Sequence, residues 1–161
     1  MSPMKNWMAT RVNFFLILGA LMGFAAPTAA QGPGVRGGVS VDPDQVYIGG
    51  HYETTPLIDR LYFRPNIELG LGDDVVTTAF NMEFIYKFPT RTDWRLFVGG
   101  GPAVNFYNFD NGPGRRGDGT ETEGGFNFVF GAEHRDGLFF EAKVGAIDSP
   151  DVKFGVGWTF R

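Results

Sequence analysis

From residue 35 onward, apolar and polar side chains alternate with a period of two along most of the chain. Val152, Phe154, Val156, Trp158 and Phe160 share one side of the last such stretch. Lys153, Gly155, Gly157 and Thr159 share the other. In the same way Phe126, Phe128 and Phe130 oppose Asn127, Gly131 and Glu133. Phe80, Met82, Phe84, Tyr86 and Phe88 oppose Asn81, Glu83 and Lys87, and Phe63, Ile67, Leu69 and Leu71 oppose Tyr62, Arg64, Asn66 and Glu68. Such alternation marks strands with one apolar face. Eight strands are predicted, over 35–42, 45–54, 61–72, 75–88, 94–106, 124–134, 138–147 and 151–160. Between them lie turn-forming residues: Asp42-Pro43-Asp44, Gly72-Asp73-Asp74, Pro89-Thr90, Arg135-Asp136-Gly137 and Asp148-Ser149-Pro150. No segment has a helical period. Regular strands joined by tight turns predict an antiparallel meander. Residues 31–36, rich in Gly and Pro, read as a loose lead-in. Pro65 and Pro102 fall in mid-strand on the apolar face, where each removes a ladder donor; a bulge is one way to accommodate either, and the local register there stays open.

Ahead of the strands, Lys5 and Arg11 precede an uncharged apolar stretch at 14–26, followed by the small residues Thr28-Ala29-Ala30. That order predicts a secretory signal over 1–30, cut before Gln31, and a single domain over 31–161. The stretch is short for a spanning helix of about 20 residues. Removing Lys5 and Arg11 from the 14 Lys and Arg leaves 12, against 18 Asp and Glu, so nucleic acid is not an expected partner. The 161 residues contain no Cys, which excludes disulfides, thiolate metal sites and a Cys nucleophile. The 24 Gly and 17 Phe strengthen the all-β reading.

Alternation alone leaves open which face is inside. A soluble, lipocalin-like barrel binding an apolar ligand would turn its aromatic face inward; a membrane barrel turns it to lipid. Volume favours the second, because an eight-stranded barrel has an interior just wide enough for side chains or one small ligand. Fourteen aromatics share the apolar face: Tyr52, Phe63, Phe80, Phe84, Tyr86, Phe88, Phe106, Phe126, Phe128, Phe130, Phe140, Phe154, Trp158 and Phe160. Gly49, Gly99, Gly101, Gly131, Gly145, Gly155 and Gly157 share the polar one. Charge balance agrees. Arg36, Arg64, Lys87, Arg95, Lys143 and Lys153 face Glu53, Glu68, Glu83, Glu133 and Glu141 as a paired polar core. Strands of about ten residues, tilted by about 45°, span roughly 23 Å, near the ~25 Å apolar band of outer-membrane barrels.

The chain resembles the small eight-stranded outer-membrane β-barrels, the group of the OmpA transmembrane domain, OmpX, OmpW and the opacity proteins. The specific part of the likeness is the final strand. Lys153-Phe154-Gly155-Val156-Gly157-Trp158-Thr159-Phe160 resembles the pattern read by the outer-membrane assembly machinery, with Lys153, Gly155, Trp158 and Phe160 at its defining positions and Arg161 as an added residue. The resemblance implies an all-β, eight-stranded, antiparallel up-and-down transmembrane barrel with a polar interior, monomeric, in contact with outer-membrane lipid and the assembly machinery. With both termini in the periplasm, 42–44, 72–74, 107–123 and 148–150 face outward, and 55–60, 89–93 and 135–137 inward. Trp158, Phe160, Tyr86, Phe88, Phe63 and Phe140 should form a girdle at the inward end.

Candidate chemistry is sparse. His134 beside Glu133 and Asp136 suggests a catalytic cluster, but the only Ser residues after position 30 are Ser40 and Ser149, and the meander places neither beside it. His134 reads as an interfacial residue and His51 as an interior hydrogen-bonder; no enzyme activity, cofactor or metal is assigned. Arg116-Gly117-Asp118 in the long outward loop is an adhesion-type tripeptide that three common loop residues form readily by chance. The acids Asp73-Asp74 and Asp148-Asp151 do not supply the six converging oxygens of a calcium site. The two-residue turn at 73–74 puts Asn66 opposite Asn81 and Arg64 opposite Glu83. In a narrow interior Arg64→Glu should therefore destabilise the folded barrel strongly, and adding Glu83→Arg should restore much of the loss.

Overall fold

The computed structural model of the protein describes residues 32–73, 75–109, 120–147 and 152–161. The expected signal at 1–30, Arg116-Gly117-Asp118, and Asp74, Asp148, Ser149 and Asp151 lie outside the described residues. Nine strands follow in order: β1 (Gly32–Val41), β2 (Gln45–Glu53), β3 (Pro56–Ile58), β4 (Leu61–Leu71), β5 (Val75–Lys87), β6 (Trp94–Phe109), β7 (Thr120–His134), β8 (Leu138–Ala146) and β9 (Val152–Thr159). Every pairing is antiparallel. β1 pairs with both β2 and β9, and β2 also pairs with β4. The sheet therefore closes into an eight-stranded up-and-down barrel, with the short β3 folded back on the start of β4 as an addition.

Three local expectations change. Residues 32–36 are strand, not lead-in: Gly34 stands opposite His51 on one side and Thr159 on the other. A Cβ at Gly34 would run into the His51 ring and the Trp158 carbonyl, so glycine is what lets β1 lie this close. β6 and β7 run past their expected ends at 106 and 124, with Asn108 opposite Thr120, so the connection expected over 107–123 begins after Phe109 and ends before Thr120. The apolar pattern stops earlier than the ribbon because Glu121, Thr122 and Glu123 carry polar side chains on both faces. The prolines cause no bulge, and the register is unbroken across both. The β2–β4 ladder stops at His51 and Asn66, and the same register resumes where Thr54 N–H donates to the Phe63 carbonyl at 3.0 Å. The β5–β6 ladder pairs Asn81 with Ala103 and Phe84 with Gly100, skipping the positions at Pro102. Each proline deletes a rung rather than shifting the strand.

The aromatic face is outside. Phe128, Phe130, Phe140, Phe154 and Phe160 are each more than half exposed, while Arg64, Glu53, Glu83 and Lys143 are buried at 1% or less. This removes the reading of a soluble barrel enclosing an apolar ligand. The interior is not purely polar, however. Ile85, Phe97, Val129 and Phe139 form a buried apolar cluster, and Tyr47 and Tyr107 also point in. These large side chains occupy space left by facing glycines: Phe97 over Gly131, Phe139 over Gly157 and Ile85 over Gly99. Alternating large and small residues fill a narrow barrel without voids.

Candidate functional site

The inward faces of seven strands build one charged core. Toward the 42–44 end, Arg36 Nη1 lies 2.9 Å from Glu141 Oε1, 3.5 Å from Glu83 Oε2 and 3.6 Å from Glu68 Oε1. Lys143 Nζ sits between Glu68 Oε1 at 2.5 Å and Glu83 Oε1 at 2.6 Å, and Lys153 Nζ reaches Glu68 Oε2 at 2.9 Å. Toward the 135–137 end, Lys87 Nζ bridges Glu53 at 2.6 Å and Glu133 at 2.7 Å, beneath the Tyr62 ring. Between the two groups stand Arg64, Phe97 and Phe139. The Arg64 guanidinium lies 4.9 Å from the Phe97 ring centre and 5.1 Å from that of Phe139. An amide chain crosses the lumen beside them, Asn127 donating to Asn81 at 2.9 Å and Asn81 to Asn66 at 2.8 Å. His51 bonds through Nε2 to the Thr159 hydroxyl at 2.9 Å.

Of the sequence-predicted interior residues, Arg64, Glu68, Glu83, Lys87, Glu133, Glu141, Lys143 and Lys153 come together here. Arg64 does stand opposite Glu83, but the two are not an exclusive pair. Arg64 Nε is 3.7 Å from Glu83 Oε2, whereas Lys143 is more than 1 Å closer to that carboxylate. Arg64 donates no hydrogen bond to an acceptor among the described residues. Arg95 departs from its expected place. It is half-buried at the mouth and makes no ion pair among the described residues. It faces Glu133 across the ladder, but Lys87 and Arg161 already hold that carboxylate. Arg161, an addition to the assembly pattern, turns inward: it pairs with Glu133, lies 3.6 Å from Glu53 and donates to the Arg135 carbonyl at 3.0 Å. Phe97, Phe139 and Tyr47, which the alternation left unassigned to either face, are interior residues. Their parity with Arg95, Glu141 and Gly49 was the signal that could have placed them.

At the 135–137 end the outer surface carries aromatic pairs. Trp94 and Phe140 stack with centroids 6.0 Å apart, and Tyr86 meets Phe88 edge-on at 5.3 Å. Trp158 and Phe160 are exposed beside them, and Trp94 joins the residues expected there. His134 packs against Trp94 at 5.1 Å and lies 3.3 Å from Asp136. Ser40 is at the opposite end, bonded to the Pro43 carbonyl at 2.8 Å, so it cannot serve His134 as a nucleophile. The buried acids and bases are committed to one another.

Polar interior, apolar exterior and eight antiparallel staves define the small transmembrane-type β-barrel. Two solved structures of that class match in fold. Neisserial surface protein A (NspA) aligns over 81% of this chain and 96% of its own, with a TM-score of 0.56 and 15% identity. The outer membrane enzyme PagL aligns over 82% and 99%, with a TM-score of 0.50 and 14% identity. At these identities the likeness is one of fold. No protein-family model matches the chain, and no curated protein matches its sequence.

Proposed function

We propose that the protein is an integral outer-membrane barrel, exported through a signal at 1–30 and inserted as a monomer by the assembly machinery. Its role is structural or at the cell surface, and not catalytic. The observation that carries this reading is the outward aromatic and aliphatic face around a charged core. In water that face would expose apolar area far beyond what soluble monomers tolerate, whereas lipid covers it. Closure satisfies the backbone of the staves inside the bilayer apart from the rungs missing at Pro65 and Pro102, which among spanning structures only helices and barrels achieve. Permeation is limited at most, because Arg64, Phe97, Phe139 and Lys143 fill the lumen cross-section and are buried at 1% or less.

Carbonate-washed outer membranes should retain the protein, and unboiled samples should migrate differently from boiled ones in a detergent gel. Recovery from the soluble periplasmic fraction refutes the membrane assignment. The catalytic alternative, in which the cluster around His134 resembles that of small outer-membrane lipid A deacylases or acyltransferases, is tested separately. Membranes that overproduce the chain should leave the lipid A acyl pattern unchanged, and a loss or gain of acyl chains would make it an enzyme.

A further inference from the structure

The 135–137 mouth holds an open cleft of about 50 Å³ whose lining includes Arg95, Arg135, Arg161, Asp93, Glu133 and His134. Its charges are unevenly committed. Arg135 Nη1 is 3.1 Å from Asp93 Oδ1, and Arg161 pairs with Glu133. Glu133 is held a second time by Lys87 at 2.7 Å. Both lining carboxylates are therefore taken. Arg95 is left as a surplus cation whose planar fork of five N–H donors matches an oxyanion. At about 10–15 Å³ per water, a cleft of this size takes roughly four, the bulk of a tetrahedral oxyanion.

The depth of the cleft says where such an anion would come from. Arg95 lies between Trp94 and Leu96, which face outward and are 41% and 64% exposed. Trp94 stacks on Phe140, and its other neighbour, His134, lines the cleft. Exposed Trp rings of a membrane barrel sit at headgroup level. We propose that Arg95 anchors a phosphate site at this mouth, taking a phosphate-type oxyanion carried by a lipid headgroup or free in solution. The headgroup source rests on the membrane assignment above; the oxyanion chemistry of Arg95 does not.

The protein, folded in a maltoside detergent that carries no phosphate, is titrated separately with inorganic phosphate and with dihexanoylphosphatidylglycerol, and binding is followed by phosphorus NMR line width. The lipid probe should bind. Arg95→Gln should weaken it about tenfold or more, the loss expected for a charge-assisted fork. Arg95→Lys should keep part of the affinity, and Arg91→Gln, exposed in the connection that leads into β6, should change nothing. Binding of the lipid alone assigns the headgroup; equal binding of both probes with the same dependence on Arg95 assigns phosphate itself. Binding of neither probe, or binding indifferent to Arg95→Gln, overturns the site. The heat shift on a gel reports folding of each variant. A folded, membrane-retained protein without binding refutes this site alone. Loss of membrane retention refutes the membrane assignment, and the phosphate titration still decides the chemistry of Arg95.

Discussion

Glu83 is the residue at which a pairwise reading of the interior breaks down. Its carboxylate is shared by Lys143 at 2.6 Å, Arg36 at 3.5 Å and Arg64 at 3.7 Å. Replacing it with Gln strips three buried cations of one counter-charge and should cost on the order of 3 kcal/mol. Arg64 is the opposite case. It donates no hydrogen bond among the described residues, and the acids nearest it, Glu83 at 3.7 Å and Glu141 at 3.9 Å, are held more closely by Lys143 and Arg36, so Arg64→Met keeps the packing on Phe97 and Phe139, removes a surplus buried cation and should cost under about 1 kcal/mol. The double exchange Arg64→Glu with Glu83→Arg should not rescue stability, because the guanidinium introduced at position 83 would face Arg36 and Lys143. Urea midpoints of the refolded variants, read from the heat shift, check all three. Recovery of the wild-type midpoint by the double exchange would show that the pair is isolated after all. Arg161 ties the end of the chain to Glu133 and Glu53 with a side chain 19% exposed. Arg161→Ala should lower the unfolding free energy obtained from the same urea titration by about 1 kcal/mol, the discounted value of a partly solvated charged bond.

At the scale of strands, β4 and β5 form a hairpin whose two outer seams each lack a rung at the same level, beside Pro65 toward β2 and opposite Pro102 toward β6. Pro102→Val returns an N–H to the β5–β6 seam. The new bond is worth about 1 kcal/mol, and the freed unfolded chain takes back about 0.4–1, so global stability should barely move. Amide exchange near residue 82 should nevertheless slow about fivefold, since it reports the local bond. Hydrogen exchange by mass spectrometry checks this, and unchanged exchange would mean the seam is open for another reason. β9 carries the pattern proposed for assembly, so Phe160→Ala should reduce the inserted amount more than Phe126→Ala. Equal losses would mean that only lipid-facing area counts. The eight staves were legible because one face is aromatic throughout, as in β5 and β9, and parity fixes register once a two-residue turn is placed. Other features were hidden for identifiable reasons. Phe97 and Phe139 look lipid-facing by type and are interior only because Gly131 and Gly157 leave them room. The ends of β6 and β7 lie beyond the apolar band, where alternation carries no hydrophobic signal. Arg161 finds its partners only once the barrel has closed.

The molecule is taller on one side than the other. Among the described residues β8 pairs with β7 only as far as Ala146 opposite Phe126, so 120–125 pair with β6 alone and this end of β7 rises past β8, while β6 stays paired with β5 as far as Phe109 opposite Val75. Six residues at about 3.3 Å each make a projection of roughly 20 Å along the strand. Its polar residues and the long connection at 110–119 suit the aqueous side away from the aromatic girdle, which fixes the proposed orientation. The girdle at Trp94, Phe140, Trp158 and Phe160 then marks the periplasmic interface, and the β6–β7 ribbon points out of the cell. The connection contains Arg115 and Arg116, whereas the opposite end carries Arg60, Arg91 and Arg135. Trypsin added to intact cells should therefore cut after Arg115 or Arg116 and nowhere else. Opening the outer membrane should add cleavage at Arg91, which is exposed in the connection between β5 and β6. The two large fragments from intact cells should stay together until boiled, because the β6–β7 ladder from Trp94 opposite His134 to Asn108 opposite Thr120 survives the cut, as do the seams that close the barrel on its far side. Cleavage at Arg91 in intact cells, with Arg115 and Arg116 protected, would reverse the orientation and place the Arg95 cleft outside the cell. Fragments that separate without boiling would mean that the ladder, and not the connection, is what trypsin reaches.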